Sequence, residues 1–136
     1  MEIKKVGVVG CGLMGAGIVQ VCAQSGYQVI TSEINDELLN KGLASINNAL
    51  TKSVDKGKLS QQDKDATLSR IKGTTKISDF ADCDLMIESV AEDMDLKKAT
   101  FAELDKTCPA HAILATNASV LSIIAVSYTH LTLPTN

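Results

Sequence analysis

The sequence predicts an α/β fold, a doubly wound parallel sheet of strand order 3-2-1-4-5 with a helical hairpin inserted between strands 2 and 3. Three observations predict it. Short apolar runs of strand length alternate with amphipathic stretches of helix length, in the order β-α-β-α-α-β-β-α-β. Most of the strands are separated by a helix, which implies parallel pairing through right-handed crossovers. The glycine-rich stretch "GCGLMG", residues 10–15, stands where the first strand gives way to the first helix. At 136 residues with 45% hydrophobic content, the chain has room for one domain that buries roughly 68% of its unfolded surface.

The elements follow in order. Val6 to Val9 is an apolar run fit for a strand buried on both faces. From about Met14 to Ser25 the pattern is helical, with Ile18, Val21 and Cys22 at three- and four-residue spacing and Gly26 as a stop. "YQVITSE" is the second strand. Asn35 or Asp36 can cap a long helix that carries Leu38, Leu39, Leu43, Ile46 and Leu50 on one stripe and ends at Gly57. Ser60 caps another helix, with Asp63 three positions on, running through Leu68 and Ile71 to about Lys72. "TTKIS" is expected as the third strand and "DLMIESV" as the fourth. "AEDMDLKKATFAELDKT" is helical with Leu96, Phe101 and Leu104 inward, and "AILAT" is the fifth strand.

Composition narrows the partners. A net charge of −3 argues against a general binder of nucleic acid or anionic membranes. No apolar run approaches the about 20 residues of a membrane span. "MEIKK" runs straight into a strand, so no signal peptide is expected and the location is read as cytoplasmic. Cys11, Cys22, Cys83 and Cys108 form no CxxC pair and no metal-ligand spacing with His111 or His130, so no metal is expected and the thiols are read as reduced. Cys11, near a helix N-terminus that could lower its pKa, is read as a small filler.

Gly10-Cys11-Gly12-Leu13-Met14-Gly15 fits G-x-G-x-x-G, and its place between strand and helix gives the string meaning. Gly10 permits a tight turn, Gly12 lets a pyrophosphate lie against the backbone, and Gly15 lets the helix pack on the strand, with Gly17 as a further small residue on that face. The helix N-terminus then presents N–H groups and a positive dipole end to the phosphates. Such a site calls for an acid about 20 positions on, at the end of the second strand. Glu33 stands 21 positions after Gly12. Its carboxylate can accept from both hydroxyls of an adenosine ribose and would repel a 2′-phosphate, so NAD rather than NADP is expected.

"GCGLMGAGI", "FADCDLMIESVAED" and "TNASVLSI" together resemble the NAD-binding Rossmann domain of the 3-hydroxyacyl-CoA dehydrogenases, especially the short bacterial 3-hydroxybutyryl-CoA dehydrogenases, from about Ile3 to Ala125. The resemblance implies hydride transfer between a 3-hydroxyacyl-CoA and NAD. It places Glu92 and Lys97 along the nicotinamide side of the cofactor. It places Asn117 and Ser119 at the mouth of the catalytic cleft, where the Ser119 hydroxyl can orient the substrate oxygen; read from the residues alone, Glu92 fits a first-turn acid facing a helix dipole and Ser119 an N-cap. Ala118 and Val120 depart from the family's usual "TNTSSLSI". The inserted helical hairpin lies along CoA in the family, and Lys41, Lys52, Lys56 and Lys58 fall there, where a solvated lysine face explains them equally well.

The family takes its general base from a histidine in an "HFFNP"-like segment, and its dimer contact from a second, helical domain. Neither is recognised in this sequence, so the chain is expected to hold the cofactor half of an enzyme, incomplete at its C-terminal edge, and to turn over little by itself. His111 is expected in a solvated loop at the wrong edge of the sheet. The tail "VSYTHLTLPTN", residues 126–136, resembles a translated sequencing adapter and is read as non-native; the rival reading is a short genuine strand. A functional alternative is a naturally short, non-catalytic dinucleotide-binding or redox-sensing module.

Overall fold

The computed structural model describes residues 2–91 and 93–117. Five parallel strands, β1 (Lys5–Val9), β2 (Gln28–Ser32), β3 (Ile71–Thr74), β4 (Leu85–Glu88) and β5 (Ile113–Thr116), form one sheet in the order β3-β2-β1-β4-β5. The registers are regular: Val8 sits between Thr31 and Ile87, and Glu88 pairs with both Val9 and Thr116. This is the predicted topology.

Strand alternation divides the core between two faces. Val6 and Val8 of β1 and Val29 of β2 point to one side, where they meet Ala16, Val19 and Ala23 of α1 (Leu13–Gln24) and Ile46 and Leu50 of α2 (Asp36–Asp55). Leu59 and Leu68 close that side from around α3 (Gln61–Ser69). Val9, Ile30 and Met86 point to the other side and pack with Phe80 and Cys83 of the segment before β4 and with Leu104 of α4 (Met94–Thr107).

The helices start where side chains satisfy their first N–H groups. Asn35 Oδ1 accepts from Leu38 N at 2.8 Å, Ser60 Oγ from Asp63 N at 3.0 Å, and Asp93 Oδ1 from Leu96 N at 3.1 Å. The first of these decides between Asn35 and Asp36 as the α2 cap. α2 stops where Gly57 turns to φ 72.

Several boundaries and faces differ from the sequence reading. α3 ends at Ser69, and β3 is "IKGT" rather than "TTKIS"; Ile77–Phe80 is a 3-10 turn. The strand carries little propensity of its own. It forms because its parallel partner is β2, and because Leu39 and Leu43 of α2 close over Gly73, where a Cβ would lie about 3 Å from their methyl groups. Val21 is exposed on α1, because Gly15, Ala16, Val19 and Ala23 make the buried stripe instead. Gly17 also faces open space, so Gly15 alone serves the tight contact assigned to both. Leu38 and Leu96 are not inward: each is turned part-way to solvent on the cleft side of its helix.

Candidate functional site

The site lies beyond the carboxyl ends of the strands, where the order reverses on either side of β1. Each strand exit is tied to its neighbour there. Gly10 N–H donates to Ser32 O at 2.9 Å, Ser89 N–H to Val9 O at 2.8 Å, Glu33 N–H to Thr74 O at 3.2 Å, and Asn117 N–H to Glu88 O at 2.9 Å. The result is a hydrogen-bonded rim on which loops are set.

The turn from β1 to α1 is built on backbone proximity. Gly10 adopts φ 101 and a Cβ there would run into the backbone carbonyl of Ser89. A Cβ on Gly15 would run into the carbonyl of Gly10. Gly12 differs from both: as N-cap of α1 it has an ordinary φ of −75, and nothing lies within 4 Å of where its Cβ would be. The missing side chain leaves room for something else. α1 has neither a side-chain cap nor an acidic residue in its first turn, so its N-terminal N–H groups and positive dipole end face the opening. Cys11 lies behind the turn, buried, with Gly42 of α2 seated on it so closely that a Cβ would collide. Burial pushes the Cys11 thiol up, which is the filler role and not an activated thiolate.

A cleft of about 720 Å³ opens in front of this turn. Gly10, Gly12, Leu13, Met14, Gly15, Glu33 and Asn117, all named from sequence, line it together. Glu33 is half-buried beside Ile34, and no hydrogen bond or ion pair among the described residues engages its carboxylate. Sequence reasoning missed the apolar walls, Ile34, Leu38, Ile77, Val90 and Leu96. The signal for them was a helix stripe wider than the core needs, at Leu38 and Leu96.

The far wall hangs on a carboxylate that the sequence reading passed over. Glu88 is wholly buried at the end of β4. Its Oε2 accepts from Val90 N at 2.8 Å and Lys97 Nζ at 2.6 Å, and its Oε1 accepts from Thr116 Oγ1 at 2.6 Å. Lys97 is itself only 1% exposed, beneath the wall and against Glu88. Removing one partner of such a buried pair leaves the other uncompensated, at a cost of about 3–5 kcal/mol. Asn117 Nδ2 donates to Ser89 Oγ at 3.3 Å, closing the wall at the surface. Glu92 and Ser119, the other two site residues named from sequence, lie outside the described residues, as do His130 and the tail.

The family model for the NAD binding domain of 3-hydroxyacyl-CoA dehydrogenase matches residues 5–131. The chain belongs to this family. Among its relatives it is 41% identical over 122 residues to a peroxisomal fatty acid beta-oxidation multifunctional protein of Arabidopsis thaliana, covering 90% of this chain and 17% of that one. It is 41% identical over 123 residues to a probable 3-hydroxybutyryl-CoA dehydrogenase of Deinococcus radiodurans, covering 90% of this chain and 44% of that one. The solved (S)-3-hydroxybutyryl-CoA dehydrogenase of Ralstonia eutropha superposes with a TM-score of 0.91 at 37% identity, over 94% of this chain and 45% of that one. The chain thus spans less than half the length of these relatives.

The family assignment favours the dehydrogenase reading over a separate short sensing module. The residues present also fit the family's cofactor on structural grounds. The space before Gly12 faces a helix N-terminus suited to a pyrophosphate, a carboxylate unengaged among the described residues stands at Glu33, and apolar side chains line the cleft between them.

Proposed function

We propose that this chain is the cofactor-binding part of an enzyme that passes hydride between a 3-hydroxyacyl-CoA and NAD. NAD supplies the hydride-accepting ring. The chain's own residues hold and orient the dinucleotide. The N–H groups at the start of α1 would hold the pyrophosphate across Gly12, and the Glu33 carboxylate would accept from the adenosine ribose hydroxyls. Val90 and Asn117 would hold the nicotinamide half, on the side where Glu92 and Ser119 are assigned by resemblance; Lys97, assigned there too, lies beneath that wall against Glu88. The observation that carries this reading is the open position before Gly12 in the same cleft as Glu33.

Among the described residues no histidine faces the cleft, and on this reading the chain by itself turns over little substrate. His111 is set at the amino ends of the strands, where its Nε2 is 2.9 Å from Asp84 Oδ1, so it stands across the sheet from the cleft. Proton transfer to a substrate in the cleft needs another base. A cytoplasmic location, a dimer made through further helical sequence, and no nucleic-acid or membrane partner belong to the same reading. The acidic net charge of −3 supports the last point.

Calorimetric titration tests this. NAD is expected to bind this chain at least about tenfold more tightly than NADP, with Glu33→Gln narrowing the gap. Equal affinity for the two, or none for either, would contradict it.

A further inference from the structure

The Glu88–Lys97 pair is an uneconomical way to hold a core together, since apolar residues of similar volume commonly serve as well or better. What a carboxylate adds is direction. Glu88 Oε2 takes the N–H of Val90, and Lys97 Nζ, paired with that same oxygen, stands 3.4 Å from the Val90 carbonyl. Cleft-lining Val90 is therefore held through both its backbone N–H and its backbone carbonyl, in the two successive peptide groups that flank its Cα. The other oxygen, Oε1, takes the hydroxyl of Thr116, next to cleft-lining Asn117. One buried group thus governs the loop after β4 and the exit of β5. Among the described residues no hydrogen bond or ion pair joins Glu33, on the β2 side of β1, to it.

We propose that Glu88 is a positioning residue for the half of the cleft remote from Glu33. It fixes the wall against which the nicotinamide half of the dinucleotide rests, and acts through Val90, Lys97 and Thr116. The inference rests on the dinucleotide reading above. Its consequence is a split. Disturbing Glu88 weakens binding of the whole dinucleotide and spares its adenosine monophosphate half, which needs only the α1 turn and Glu33. A merely structural role would weaken both.

The experiment titrates NAD and AMP into the wild-type chain, the double variant Glu88→Gln/Lys97→Met, and Thr116→Val. The double change removes both buried charges together, so neither is stranded. The expected result is a cooperative thermal transition, AMP affinity within about twofold of wild type, and NAD affinity about tenfold weaker. Thr116→Val is expected to show the same split with a smaller loss. A folded double variant with unchanged NAD affinity overturns the proposal, as does a parallel fall for NAD and AMP, and as does a loss of NAD affinity in the double variant that Thr116→Val does not share, which would mark Lys97 as a direct cofactor contact. If the double variant does not fold, Thr116→Val decides by the same comparison. A wild-type chain that binds no NAD sinks the dinucleotide reading and this inference with it; a wild-type chain that binds beside unaffected variants sinks this inference alone.

Discussion

Gly10 and Gly12 are two residues apart and should respond to the same substitution in opposite ways. At Gly10 an alanine meets a positive φ and the Ser89 carbonyl, so Gly10→Ala should cost more than about 2 kcal/mol of stability, read by urea denaturation. At Gly12 the added methyl enters open space at an ordinary φ. Gly12→Ala should therefore cost under about 1 kcal/mol of stability while weakening NAD more than about tenfold by calorimetry. The thiols give a second test at this scale. Burial holds Cys83 up to about 12 and raises Cys11, Cys22 and Cys108 as well. All four should react slowly with iodoacetamide near neutral pH in the native chain and quickly in urea. Fast native labelling of Cys11 would show that the turn is looser than its packing against Gly42 implies.

At the scale of elements, α2 is fastened at its start by Asn35 and along its length by Leu39, Ile46 and Leu50. Asn35→Ala should cost about 1 kcal/mol and Ile46→Ala about 2–5 kcal/mol, read by the shift in urea midpoint. The amino ends of the strands are gathered by Asp84. Its carboxylate accepts from Lys4 N at 2.9 Å and Lys5 N at 3.1 Å and meets His111. The His111 hydrogen bond first, then those backbone N–H groups, lower its pKa from 3.8 to about 2. A depressed carboxyl contributes stability that is present above its unfolded pKa and is lost as pH falls through its folded one. The loss should therefore fall between about pH 4 and pH 2, and Asp84→Asn should flatten the stability profile across that interval. What the sequence disclosed at this scale followed from periodicity and caps, which are local. The misplaced β3 shows the limit: "IKGT" becomes a strand through its pairing with β2 and the α2 leucines over Gly73, and neither partner is near it in sequence.

Across the whole molecule, the strand order and the cleft were legible because the glycine turn and Glu33 announce themselves by fixed spacing. Glu88 was not legible. Its carboxylate is met by the Val90 backbone N–H, Lys97 Nζ and Thr116 Oγ1, 2, 9 and 28 residues away, and a glutamate at a strand end looks like any solvated acid until the fold is known. Gly42 was hidden for a similar reason, as a glycine mid-helix whose purpose is the contact with Cys11. The architecture joins these parts around one surface, the cleft formed where β1 separates the β2 side from the β4 side. Amide chemical-shift mapping with NAD reads that surface directly. The predicted result is a set of large shifts confined to Gly10 through Gly15, Glu33 and Ile34, Ser89 through Ala91, and Asn117. Shifts centred instead on the lysine-bearing outer face of α2, or no shifts at saturating NAD, would contradict the assignment of this cleft.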